Sequence, residues 1–274
     1  MSNNKIHLNS IELSKELRKL ALEMVFRSKA SHIGSALSIA DILSVLYFNF
    51  LKVYPTEPNH PKRDILILSK GHACVALYAV LGLKGFFELK DLETYGMDNS
   101  NFMNHISHKV NGVEFSTGSL GHGLPFALGK ALGSKMKNNN NKIVVILGDG
   151  ELDEGSNWEA LLFASHHKIN NLLVIIDYNN LQSLTTIDQT LNLQPLKQKF
   201  ESFGCNVIEI NGHDHGILLK SFIESNTCEN KPTVIIAKTI KGKGISFMEN
   251  KVKWHYSSPN ENELIQALKE IENA

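Results

Sequence analysis

Apolar side chains recur at helical spacing through Ile11, Leu13, Leu17, Leu20, Ala21, Met24 and Val25. The pattern predicts an amphipathic helix over 11–27 with Ser10 as its N-cap. A second helix is expected from about Ser38 to Phe50. The stretch from Tyr54 to Pro61 holds Pro55, Pro58 and Pro61 and reads as an irregular connection. Asp64 to Leu68 is then a short buried strand, followed by a helix from about His72. The centre of the chain is the clearest part. Lys142 to Leu147 is a continuous apolar, β-branched run that breaks at Gly148-Asp149-Gly150. An amphipathic helix carrying Trp158, Leu161, Leu162 and Ala164 follows, starting near Asp153. Leu172 to Ile176 is a second such strand, ending in Asp177-Tyr178-Asn179-Asn180. Cys205 to Ile210 and Thr233 to Ala237 read as two more, with helical stretches between. The last residues form a short amphipathic helix.

Strands that are apolar on both faces and alternate with helices indicate a mainly parallel sheet covered on both sides, a three-layer α/β/α fold. Such sheets bind ligands at the carboxyl ends of their strands. No internal repeat is visible, Asn138 to Asn141 is a polar turn, and no linker divides the chain, so residues 1–274 are expected to form a single domain.

Composition narrows the partners. Apolar residues make up 42% and charged residues 20%, and the formal net charge is zero. That balance gives no electrostatic reason to expect nucleic acid or an anionic membrane. The start, Met1 to Lys5, is polar with no apolar segment after it, and no run is long enough to span a bilayer. Cys74, Cys205 and Cys228 fit neither a zinc pattern nor a disulfide framework, which suits reduced thiols in a cytoplasmic protein.

Candidate chemistry gathers at the two central strand ends. Asp149 follows directly on a buried strand between two glycines, which let the backbone turn tightly and approach a ligand. The free N–H groups of the following helix would suit a phosphate there. A carboxylate in this place is a natural magnesium ligand, because Mg²⁺ takes hard oxygens and favours phosphate as a partner. Asn179 closes the next strand; if the strands are neighbours, its side-chain oxygen and the Leu181 carbonyl could complete the shell. Ser116 to Gly123, Ser-Thr-Gly-Ser-Leu-Gly-His-Gly, precedes a helix from about Leu124 to Met136 and suits close backbone contact with a cofactor. The chain has neither G-x-x-x-x-G-K-[ST] nor a G-x-G-x-x-G after the first strand, so P-loop and dinucleotide readings are weak.

Gly148-Asp149-Gly150 followed by Asn179 is similar to the thiamine-diphosphate-binding signature, and the surrounding segments resemble the N-terminal half of transketolases. The resemblance runs from about Leu17 to Pro259. Ala30-Ser31-His32-Ile33-Gly34 resembles the family's Ser-Gly-His-Pro-Gly. Ser69-Lys70-Gly71-His72-Ala73 and Asn104-His105-Ile106 resemble two further histidine blocks. Gly148 to Gly155, with Glu151 and Glu154, resembles Gly-Asp-Gly-x-x-x-Glu-Gly. Asn211 to Asp214, Lys238 to Gly244, and Trp254-His255 fall on three later blocks.

The resemblance implies a thiamine-diphosphate-binding fold and a set of roles. Asp149, Asn179 and the Leu181 carbonyl would hold Mg²⁺ or Ca²⁺. Gly148, Gly150 and Glu151 would meet the diphosphate, with His72 and His255 facing the same end. Gly118 and Leu120 would contact the rest of the cofactor. His32, His72, His105 and His255 would line the substrate channel as catalytic histidines, with His108 a rival for the place of His105. Glu154 would meet a glutamate of the partner subunit. His213 and Asp214 read as organising a strand-to-helix turn.

Whole transketolases are more than twice this length, so the chain is expected to be the N-terminal subunit of a split enzyme. A separate C-terminal subunit would supply the glutamate that activates the cofactor, in an α₂β₂ assembly acting on sugar phosphates. Departures cluster near the channel: Ser31, Ile33, Asn104, Ile106, Ser119 and His122 replace family residues and leave the sugar open. Three other readings compete: a deoxyxylulose-phosphate-synthase-like carboligase, a 2-oxo acid dehydrogenase component, and a non-catalytic subunit that kept the fold.

Overall fold

The structure, a computed structural model, describes residues 9–274; the polar start Met1 to Lys5 and His7 lie outside the described residues. Five strands, β1 (Ile65–Leu68), β2 (Ile143–Gly148), β3 (Leu172–Tyr178), β4 (Asn206–Asn211) and β5 (Thr233–Lys238), form one sheet in the order β1-β2-β3-β5-β4. Every pairing is parallel. The helices are α1 (Ser10–Ser28), α2 (Ile33–Ser38), α3 (Ala40–Val45), α4 (Cys74–Leu83), α5 (Gly123–Met136), α6 (Gly155–His166), α7 (Ile187–Thr190), α8 (Leu196–Ser202), α9 (His215–Ser225) and α10 (Glu261–Glu272).

Neighbouring residues along a strand enter different layers. Val144 and Ile146 of β2 join Leu173, Ile175 and Ile235 in a core shared with α1, α3 and α4. Ile143, Val145 and Leu147 join Val174, Ile176 and Ile236 in a second core shared with α5 and α6. Side chains alternate faces with a period of two, and here both faces are covered. The central strands therefore read as continuous apolar runs, and the three-layer α/β/α arrangement expected from them is the one observed. Every residue of α4 from Cys74 to Gly82 is buried, as befits a helix apolar all round. α10 buries only Ala267 and Ile271 and lies against α1.

Three expected boundaries are corrected. The N-cap of α1 is Asn9, not Ser10: the Asn9 side chain accepts from the amides of Ile11 and Glu12, and Glu12 accepts in return from the Asn9 amide. Such a reciprocal cap contributes about 1 kcal/mol. The helix expected from Ser38 to Phe50 is broken at Ile39 and ends in a π turn over Leu46–Phe50. The Ser38 hydroxyl bonds the Ser35 carbonyl at 3.0 Å and the Asp177 carboxylate at 2.6 Å, drawing the end of α2 onto the sheet. The helix expected near Asp153 starts at Gly155, after a 3₁₀ turn over Gly150–Asp153. The amides nearest Asp149 belong to that turn rather than to α6.

The register places Gly148 of β2 opposite Asp177 of β3. The two loops that carry Asp149 and Asn179 thus leave adjacent strands at one rim. Among the described residues no helix is long and apolar enough to cross a membrane, and Cys74, Cys205 and Cys228 are all free.

Candidate active site

Asp149 is buried at the end of β2. Its Oδ2 accepts the amides of Asn179 (2.8 Å) and Asn180 (2.7 Å), and its Oδ1 accepts that of Gly150 (2.8 Å). These three bonds stitch the ends of β2 and β3 together. Burial and the nearby Asp177 carboxylate push the Asp149 carboxyl up to about 7, against the help of those amides. Asn179 is turned by two bonds: its Nδ2 donates to Asp177 Oδ2 at 3.1 Å, and its Oδ1 accepts the Leu181 amide at 3.1 Å. The oxygen rather than the amino group is thereby fixed on the Leu181 side.

These residues fit a hard divalent cation. A carboxylate has about four lone-pair sites, and three are used on Asp149. Asn179 Oδ1 and the Leu181 carbonyl each have one of two in use, the latter by Lys241. One acceptor site remains on each, and a cation would offset the cost that raises the Asp149 carboxyl. The set holds a single carboxylate, one amide and one carbonyl, which accounts for the absence of any His/Cys/Asp/Glu triad of metal-binding geometry among the described residues.

Glu151 has its side chain turned inward. Its Oε1 accepts the Gly121 amide at 2.9 Å and the Ser69 hydroxyl, and its Oε2 accepts the Gly148 amide at 3.3 Å. One buried carboxylate therefore joins the loops after β1 and β2 to the glycine-rich segment. Gly121 needs to be glycine: its φ is +82°, and a Cβ there would lie 2.7 Å from Glu154 Cβ.

Four imidazoles line the same cavity as Asp149 and Glu151. The His32 ring centroid lies 5.1 Å from His72, 5.8 Å from His105 and 4.9 Å from His255. All four line one cavity of about 230 Å³ with Gly118, Leu120, Gly148, Asp149, Gly150, Glu151, Asn179 and Leu181. His105 belongs to the cluster, whereas His108 is turned onto the Ser116 hydroxyl at 2.6 Å. Glu154 is the one expected site residue outside the cavity; it is exposed at the N-cap position of α6.

Burial lowers the rings' proton affinity, helped by neighbouring cations and imidazoles: His32 to about 4, His255 to about 3, and His72 well below its usual value. All three are neutral at pH 7. Lys241 Nζ donates to His255 Nδ1 at 3.0 Å, so His255 carries its proton on Nε2.

Three functional positions were not singled out from the sequence. Lys70 is buried, with Nζ on the Ser35 carbonyl (3.1 Å) and paired with Asp177. Asp177 also accepts from Ser38, Asn179 and Thr239. Burial alone would raise the Asp177 carboxyl, but the Lys70 charge and the hydroxyl donors hold it below its usual value. Lys241 reaches the carbonyls of Leu181 and Gln182, both at 3.0 Å, and burial lowers its ammonium to about 8. The signals that could have found them were an acid closing a buried strand and lysines inside the Ser69 to Ala73 and Lys238 to Gly244 blocks.

The architecture defines a parallel α/β protein whose ligand cleft opens at the carboxyl ends of its strands. The chain belongs to the family described as transketolase, thiamine diphosphate binding domain, which it matches over residues 10–272. It is 37% identical over 267 residues to one subunit of the apulose-4-phosphate transketolase of Phocaeicola vulgatus, covering 97% of this chain and 95% of that one. It is 39% identical over 258 residues to the 6-deoxy-6-sulfo-D-fructose transketolase subunit SqwG of a Clostridium species, covering 93% and 94%. The crystal structure of transketolase from Campylobacter jejuni superimposes with a TM-score of 0.91 at 34% identity, over 96% of this chain but only 42% of that one. The chain thus spans about two-fifths of the solved transketolase.

Proposed function

We propose that this chain is the cofactor-binding subunit of a two-chain cytoplasmic transketolase. With thiamine diphosphate, Mg²⁺ (or Ca²⁺) and a separate C-terminal subunit, it would transfer a two-carbon ketol unit from a ketose to an aldose. The observation that carries this reading is one cavity lined both by an oxygen set for a cation and by four imidazoles.

Asp149 Oδ, Asn179 Oδ1 and the Leu181 carbonyl hold the cation, and the Gly150 and Glu151 amides face the diphosphate. Lys241, whose Nζ bonds the Leu181 and Gln182 carbonyls, would offset part of the diphosphate's negative charge. Gly118 and Leu120 contact the organic part. When bound, thiamine diphosphate supplies a carbon nucleophile and an electron sink for breaking the bond beside a ketose carbonyl. The histidines bind and orient the sugar hydroxyls. Neutral imidazoles both donate and accept hydrogen bonds, so His32, His72 and His255 can give protons to those hydroxyls or take them up, and His105 hydrogen-bonds the sugar beside them. Exposed Glu154 faces the partner subunit in an α₂β₂ assembly. The two relatives take sugars carrying a phosphate or a sulfo group, which favours a donor with an anionic end here.

The test is the chain purified with its partner and titrated calorimetrically with thiamine diphosphate and Mg²⁺. Ketol transfer is then assayed from xylulose 5-phosphate against pyruvate. Micromolar or tighter cofactor binding and transfer from the ketose are expected. An assembly that binds no thiamine diphosphate overturns the reading, and one that consumes pyruvate alone moves it to another carboligase class. Turnover by this chain without a partner overturns the two-chain part.

A further inference from the structure

Behind the cleft lies a second buried polar network that the cofactor site does not use. Arg18 of α1 grips Asp41 of α3 with both ends of its guanidinium, at 3.0 and 2.6 Å. His213, in the loop after β4, places Nδ1 2.7 Å from Asp41 Oδ2. The pairing with Arg18, and bonds from His213 and His215, hold the Asp41 carboxyl well below the usual range despite its burial.

Two further bonds leave this network, and both reach the loop after β5. The Ile240 amide donates to His213 Nε2 at 2.8 Å. Arg18 Nε donates to the Lys243 carbonyl at 3.1 Å. An amide can only donate, so His213 Nε2 carries the lone pair and Nδ1 carries the proton given to Asp41. The direction of each bond in the chain Ile240–His213–Asp41–Arg18–Lys243 is thus fixed.

Residues 240 to 243 form a turn closed by the Lys243 amide on the Ile240 carbonyl at 3.1 Å. Gly242 enters it with φ +83°, where a Cβ would lie 2.4 Å from the Met248 carbonyl oxygen. The network therefore holds the two outward-facing groups of a turn whose second residue is Lys241. From that turn the lysine reaches Leu181, Gln182 and His255 in the cleft.

We propose that Arg18, Asp41 and His213 are positioning residues for Lys241, gripping both ends of its turn so that the ammonium is held at the diphosphate end of the cavity. The proposal rests on the cofactor reading above for the ligand, and on geometry alone for the grip. A buried ion pair is weak as a source of stability but strong as a source of fixed geometry when its remaining donors and acceptors are engaged; here Asp41 accepts four hydrogen bonds and Arg18 gives four.

The test uses the full chain with its partner, in wild type, His213→Leu and His213→Gln. Glutamine can both accept from an amide and donate to a carboxylate; leucine can do neither. Hydrogen exchange of residues 240–245 and calorimetric titration with thiamine diphosphate and Mg²⁺ are the readouts. His213→Leu is expected to speed exchange in 240–245 and to weaken the cofactor about tenfold, with exchange in β2 and β3 unchanged, and His213→Gln to recover most of both. Unchanged exchange in 240–245, or wild-type affinity in His213→Leu, overturns the proposal. Should His213→Leu fail to fold, Arg18→Lys keeps a charge on Asp41 and drops the bond to the Lys243 carbonyl. Faster exchange at 243–245 with weaker binding then supports the grip, and wild-type behaviour overturns it. If the wild-type assembly binds no thiamine diphosphate, the cofactor reading falls while the exchange result still decides the grip.

Discussion

Lys241 Nζ donates to the main-chain carbonyl of Leu181 at 3.0 Å, the same oxygen proposed to complete the cation shell. An ammonium and a divalent cation at one carbonyl repel each other until an anion lies between them. Lys241→Met is therefore expected to act in opposite directions on two ligands. Mg²⁺ alone should bind more tightly. Thiamine diphosphate with Mg²⁺ should bind about tenfold or more weakly, the ~1.5–3 kcal/mol of a charged hydrogen bond. Titration of the two-chain assembly with each ligand checks this, and shifts in the same direction would count against a shared oxygen.

Asp149 links cation binding to pH. Its carboxyl sits at about 7 in the cation-free protein, above the ordinary 3.8 of an aspartate. A cation must displace the proton below that point, so apparent Mg²⁺ affinity should rise up to about tenfold per pH unit between about pH 5 and 7 and then level off. Folding stability runs the other way. The folded chain keeps the proton to higher pH than the unfolded chain does, so this group's contribution declines as pH rises through the same window. Asp149→Asn should remove both trends, abolish cation binding and cost the cation-free chain ~1–3 kcal/mol, because its amino group must face at least one of the three amides that the carboxylate accepts. Calorimetry and thermal unfolding at pH values of about 5.5, 6.5 and 7.5 bracket the transition and read all three.

What the sequence made legible follows from where each residue's partners lie. β2 and β3 were readable because burial on both faces leaves an unbroken apolar run, and Asp149 and Asn179 because a strand end fixes a residue's place on the ligand rim. Lys70 was not readable in the same way. Its burial depends on Asp177, 107 residues further along, and no local pattern marks such a pair. The break at Ile39 has the same origin, since Ser38 is drawn to that same carboxylate across 139 residues. The Asn9 cap was within reach, because Glu12 stands three residues after Asn9 while Leu13 stands three after Ser10.

Asp177 is the hub of that long-range set, and its replacement should cost fold and site together. Asp177→Ala leaves Lys70 buried without a counter-charge and frees the Asn179 amide to rotate. Losing one partner of a buried pair typically costs ~3–5 kcal/mol. A large fall in melting temperature is expected, with cation affinity reduced further than the fall in folded fraction explains. Asp177→Ala combined with Lys70→Met removes both charges and should recover much of the stability but not the cation affinity, because Asn179 still lacks its orienting partner. Recovery of both in the double variant would assign the cation effect to the lysine charge alone.

Glu151 offers a test of cofactor affinity without touching the cation shell. Its carboxylate accepts from Gly121, Gly148 and Ser69, and burial raises its proton affinity in spite of them. Glu151→Gln keeps the shape but turns an amino group toward at least one of the three donors, a mismatch of ~1–3 kcal/mol. The Gly121 and Gly148 amides both donate to this carboxylate, while the Asp149 amide stays bonded to the Asp177 carbonyl across the strands. Hydrogen exchange should therefore quicken at Gly121 and Gly148 and hardly at Asp149. Thiamine diphosphate should weaken several-fold while Mg²⁺ alone binds as before. If Mg²⁺ affinity falls in parallel, the glycine-rich loop and the cation rim are one mechanical unit, and the role of Glu151 is to hold that unit rather than the loop.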